Sequence, residues 1–126
     1  MRRTLGKLAT AAMAAALALI GASASKPDPG EGRALLERRC TGCHALDTVK
    51  AAPPLRGVFG KPAGRNRQFP YSEALKNAAV SWDEATLDRW LADPDTVVPG
   101  NDMAFRLESA SERADIVAYL KQLGGK

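Results

Sequence analysis

The chain's two cysteines and its one histidine stand within five residues of each other, as Cys40, Cys43 and His44 in CTGCH. Four chemistries use so short a cluster: a disulfide, a redox dithiol, a metal site and a covalently held cofactor. A Cys40–Cys43 disulfide would close a very small loop and restrain little of the unfolded chain. A thioredoxin-like dithiol needs a strand before the motif and a βαβ context after it, whereas here a helical pattern leads in and a Pro/Gly-rich stretch comes after. Zinc would find three ligands and no fourth Cys or His. C-x-x-C-H is the attachment signature of c-type haem. On a helical turn, residues i and i+3 point the same way and i+4 lies beside them. Two thiols so placed can each add to one vinyl group of a porphyrin, and the next residue's imidazole is then held over the iron.

The first 24 residues read as a secretory leader. MRRTLGK is the positive n-region, LATAAMAAALALIGA the apolar run, and ASA at Ala22–Ala24 the small-residue cleavage rule, so the mature chain is expected from Ser25. The apolar run is short against the roughly 20 residues of a spanning helix, and no membrane insertion is expected after cleavage. Without Arg2, Arg3 and Lys7 the formal charge falls from +4 to +1, which removes the basic surplus that nucleic-acid binding would need. Residues 31–80 are rich in basic side chains and residues 83–115 in acidic ones, a separation that would give a dipole able to orient the protein toward a partner.

Residues 25–30 form a polar, Pro/Gly-rich lead-in, and residues 31–126 one domain. Seven aromatics in about 100 residues build only a modest core, one that a bound cofactor would enlarge. EGRALLERRC predicts a helix running into the cysteines, residues 51–70 a loop packed by Leu55, Val58, Phe59 and Phe69, and YSEALKNA a short helix. SWDEATLDRWLADP predicts a helix with a capping box of Ser81 and Glu84, an apolar face of Leu87, Trp90 and Leu91, and Pro94 past its end. SASERADIVAYLKQLGG repeats that logic with Ser109, Glu112, the stripe Ile116, Val117 and Leu120, and Gly124 as stop. No alternating run supports a strand; the domain reads as all-α with long irregular loops.

With His44 on one face of the iron, the other face needs a ligand. No second histidine exists, and Met1 and Met13 belong to the leader, which leaves Met103. A lone Met is more often core filler, but VVPGNDMAF is an irregular Pro/Gly loop rather than a helix face. A thioether favours ferrous iron relative to a second imidazole and so raises the reduction potential.

With CTGCH, the PGNDM loop and ADIVAYLKQL in this order, the chain resembles the small monohaem cytochromes c of the mitochondrial and bacterial type, over about residues 30–124. The resemblance implies a cytochrome c fold of four to five helices around one covalently attached haem c. It puts Gly32 at the crossing of the N- and C-terminal helices, with Tyr119 and Leu120 opposite, and Leu36 where an aromatic is common. Pro53 falls where a carbonyl accepts from the proximal histidine's other ring nitrogen, and Tyr71 and Trp82 where donors reach a haem propionate. Phe105 would pack beside the exposed haem edge. Two departures stand out. Lys61 occupies an arginine position near the propionates and cannot reproduce the guanidinium fork. Asp95, Thr96 and Asp102 replace the lysines that mitochondrial relatives carry near that edge.

The implied function is a periplasmic, monomeric carrier of single electrons and not an enzyme. It would work in a respiratory chain between a bc1-type complex and a terminal oxidase or a periplasmic dehydrogenase. Two alternatives remain: a haem subunit tethered to or dedicated to a dehydrogenase or oxidase, and a haem enzyme or gas sensor if Met103 is not a ligand.

Overall fold

The computed structural model describes Gly21 and residues 23–125, so the expected leader falls almost wholly outside the described residues. The first helix, α1 (Pro29–Arg39), starts inside the stretch expected as a flexible lead-in. Asp28 is the reason: its carboxylate accepts from the N–H groups of Gly30 (2.7 Å) and Glu31 (3.4 Å), and Pro29 occupies the first turn, where no N–H is needed.

The single-turn α2 (Glu73–Lys76) is capped by the Ser72 hydroxyl, which accepts from Leu75 N at 3.2 Å. Helix α3 (Glu84–Ala92) corrects the expected capping box. Asp83, not Ser81, is its N-cap, accepting from Thr86 N at 2.8 Å. Ser81 instead forms an isolated antiparallel bridge with Pro62, so its backbone belongs to a loop pairing and cannot begin a helix. Pro94 ends α3 and at once begins α4 (Pro94–Val97), with Asp93 serving both ends. Helix α5 (Ala110–Gly124) starts at Ser109, whose hydroxyl accepts from Glu112 N at 3.3 Å.

The frame is the crossing of α1 and α5. A Cβ on Gly32 would collide with the Asp115 carbonyl oxygen, so only glycine lets the two backbones approach this closely. Leu35 and Leu36 of α1 and Ile116, Val117 and Leu120 of α5 are buried around the crossing, each contributing roughly 1.5–3 kcal/mol by removal from water. Leu36 is 2% exposed, so an aliphatic side chain closes the position where an aromatic is common. The Asp28 N–H donates to Asp115 Oδ1 at 2.7 Å and ties the start of α1 to α5.

From the other side α3 buries Leu87, Trp90 and Leu91. The Arg113 guanidinium joins α5 to α3 through Asp88 Oδ1 (2.7 Å) and also donates to the carbonyls of Leu107 and Glu108. The chain is all-α with long loops, as expected. No helix among the described residues is long and apolar enough to cross a membrane.

Candidate haem-binding site

Cys40 is the C-cap of α1, and the chain makes one further turn there. The N–H groups of Cys43 (3.1 Å) and His44 (2.8 Å) both donate to the Cys40 carbonyl. This turn sets Cys40, Cys43 and His44 along one short bend of the chain, and both cysteines are free thiols. Backbone bonds hold the next stretch in place: Ala52 N to Cys43 O, Leu55 N to Ala45 O and Arg56 N to Leu46 O, at 2.9–3.0 Å.

That pairing delivers the Pro53 carbonyl to His44. Nδ1 lies 2.6 Å from Pro53 O and donates to it, because a carbonyl can only accept, so Nε2 keeps its lone pair for a metal. Burial lowers the His44 pKa below the ordinary imidazole value, with the Pro53 bond opposing that shift. The neutral, ligating form is thereby favoured. Burial also pushes the Cys40 thiol up to about 11, while Cys43 is exposed.

Met103 sits in the irregular stretch between α4 and α5, half-buried and packed against the core. Gly100, at φ +82°, turns the chain into it. The Trp90 indole N–H donates to Met103 Sδ at 3.1 Å. A thioether sulfur carries two lone pairs, so this bond leaves one for an iron.

Trp82 is buried and packs on Trp90 with ring centroids 5.0 Å apart. Two backbone bonds, Trp82 N to Lys61 O (2.9 Å) and Gly60 N to Trp82 O (2.7 Å), fasten it to the loop after Pro53. The Tyr71 hydroxyl accepts from Asn66 N at 3.3 Å and keeps its own proton to donate, while its ring meets Phe69 edge-on. Phe105 is half-buried against the core, and Lys61 is exposed.

Two participants escape a reading of the sequence. Trp90 reads as part of the apolar face of α3, which it is; its N–H partner lies 13 residues away on a loop. Asn101 reads only as part of an irregular loop, yet its side chain accepts from Met103 N at 2.8 Å. An aromatic with a polar tip on a buried stripe is the one available signal, since a buried indole N–H usually finds a partner.

These donors fit a haem. Two free thiols, an imidazole with Nε2 unoccupied by hydrogen and a half-buried thioether are its attachment and ligation set. Half-buried Leu46, Leu55, Val58, Phe59, Leu75 and Val97 offer apolar surface of the kind a porphyrin covers. No group of three His, Cys, Asp or Glu among the described residues could hold a metal ion on its own.

The family model described as Cytochrome c matches residues 30–124. A cytochrome c of Chlamydomonas reinhardtii is 41% identical over 105 residues, covering 80% of this chain and 94% of that protein. A cytochrome c2 of Rhodomicrobium vannielii is 38% identical over 120 residues, covering 92% of this chain and 95% of its own. That share exceeds what residues 25–126 contain, so the similarity reaches into the first 24 residues. Among solved structures, cytochrome cH from Methylobacterium extorquens superposes with a TM-score of 0.71 at 37% identity, covering 75% of this chain and 98% of that one.

Proposed function

The chain belongs to the cytochrome c family and is an electron carrier that binds haem c through Cys40 and Cys43, and on that premise we propose that it is exported, with His44 and Met103 as the two axial ligands. Haem c supplies an iron that gains and loses one electron. The residues of the chain do the rest. Pro53 fixes the tautomer and the plane of the His44 ring, and Trp90 holds the Met103 sulfur at 3.1 Å. Trp82 and Tyr71 would donate to the propionates of a bound haem, and Phe105 would pack beside its edge.

The observation that carries this reading is the His44–Pro53 bond, which leaves a single ring nitrogen able to ligate. Export to the periplasm is supported by the leader pattern of residues 1–24 and by the extent of the similarity to the cytochrome c2. In that compartment the partners would be a bc1-type complex and a terminal oxidase or dehydrogenase, met in brief encounters steered by charge.

The test is an absorption spectrum of the exported protein, oxidised and reduced, made in cells that attach haem, beside Met103→Ala. The weak long-wavelength sulfur-to-iron band is expected in the oxidised wild type and lost in the variant. A haem-loaded wild type without that band would end the His/Met reading and favour a haem enzyme or gas sensor.

A further inference from the structure

One side-chain amide governs the bend that carries Met103. Asn101 Oδ1 accepts from the Met103 N–H at 2.8 Å, two residues on. Its Nδ2 donates backward to the Val98 carbonyl at 2.8 Å and outward to Asp95 Oδ1 at 3.1 Å. Val98 is itself fixed, 4% exposed and bonded through its N–H to Pro94 O at 3.0 Å. The second Asp95 oxygen accepts from the Arg106 guanidinium at 3.1 Å, and the same Arg106 nitrogen reaches Asp93 at 2.9 Å. Beyond Arg106 the backbone is anchored again, Leu107 N to Leu91 O at 2.8 Å.

Residues on both sides of the methionine, Asp93 and Asp95 before it and Arg106 after it, are thus joined across the bend, with Asn101 at the centre. Between Val98 and Leu107, the bonds found at Met103 itself run to the Asn101 and Trp90 side chains. Trp90 bonds the sulfur, where it would release with the ligand. Asn101 bonds the backbone, where it resists the loop's swinging away.

We propose that Asn101 is a positioning residue for Met103 and that the Asp95–Asn101–Arg106 clasp sets how readily the methionine gives way to an outside ligand. The proposal rests on Met103 being an iron ligand. Without the clasp the loop would open more often, and small exogenous bases would enter faster. The Asp95–Arg106 pair is more than half exposed at both partners, so it contributes less than the half-buried Asn101 amide.

The experiment follows imidazole binding to the oxidised, haem-loaded protein by loss of the long-wavelength band, in wild type, Asn101→Ala, Asn101→Ser, Arg106→Gln and, as a control outside the clasp, Asp83→Ala. Losing the three side-chain hydrogen bonds of Asn101 is expected to speed methionine displacement about tenfold in Asn101→Ala. A serine hydroxyl can still accept from the N–H two residues on, so Asn101→Ser should fall between the two. Arg106→Gln should give about twofold, and Asp83→Ala no change. If the wild type lacks the band, the ligand reading fails and the clasp with it. If the band is present but Asn101→Ala and Arg106→Gln exchange at the wild-type rate, or Asp83→Ala exchanges as fast as Asn101→Ala, the clasp is overturned and the ligand reading stands. Should Asn101→Ala fail to take up haem, Asn101→Ser and Arg106→Gln decide the same question.

Discussion

The stretch that presents His44 and the stretch that presents Met103 are held by different kinds of bond. Around His44 the donors and acceptors are mostly backbone: the turn on the Cys40 carbonyl, the pairing of residues 43–46 with 52–56, and the Pro53 carbonyl. At Met103 and across its bend, side chains do most of this: the Trp90 indole, the Asn101 amide and, behind it, Asp95 and Arg106. Backbone groups are the same for almost every residue type, so point substitution barely alters the first stretch. Each side-chain bond of the second stretch depends on one residue's identity. A chain built this way can retune its methionine side step by step while its histidine side stays constant.

The largest expected effect comes from attacking the histidine side through its frame, because its bonds offer few side chains to remove. Gly32→Val would drive a branched side chain into the Asp115 backbone and part α1 from α5. A loss of more than about 4 kcal/mol in denaturant unfolding is expected, with both stretches lost together. If Gly32→Val kept near-normal stability, the crossing would not be the common frame.

Trp90→Phe should be intermediate and confined to the methionine side. It keeps the ring in the core and removes the N–H, for a loss of about 1 kcal/mol. If the Met103 sulfur ligates the iron as proposed, the N–H draws electron density from it, and its removal should lower the reduction potential. A potential that does not move, read by redox titration, would make Trp90 a packing residue only.

The smallest effect belongs to a residue that makes none of the bonds of either stretch. The Asp83 carboxylate is held below its ordinary range by the backbone N–H of Thr86. A depressed carboxylate adds stability that is complete above its unfolded pKa, about 4, and is lost as pH falls through its folded value. Asp83→Asn should therefore flatten the acid end of the stability curve below about pH 4, with the haem spectrum at neutral pH unchanged. A shift confined to neutral pH would contradict the assignment.

Legibility in the sequence divides along the same line. CTGCH is legible because thioether attachment needs neighbours in the chain, and α3 and α5 because their apolar stripes are periodic. The start of α1 lay hidden, since Pro29 and Gly30 look like lead-in until Asp28 is seen capping them. Ser81 and Asp83 both suit an N-cap; the bridge to Pro62, an event between distant loops, decided for Asp83. Trp90 and Asn101 could be named as core and loop, but their bonds to Met103 exist only once α3 and the loop meet.

The meeting of α1 with α5 has a consequence in time. Asp28 and Asp115 are 87 positions apart, so bringing them together closes a far longer loop than the local turn of CTGCH does. A chain that emerges from its N-terminus has Cys40, Cys43 and His44 in the open long before α5 exists to pack beside them. The thiols are therefore exposed for attachment before the contact of α1 with α5 can form.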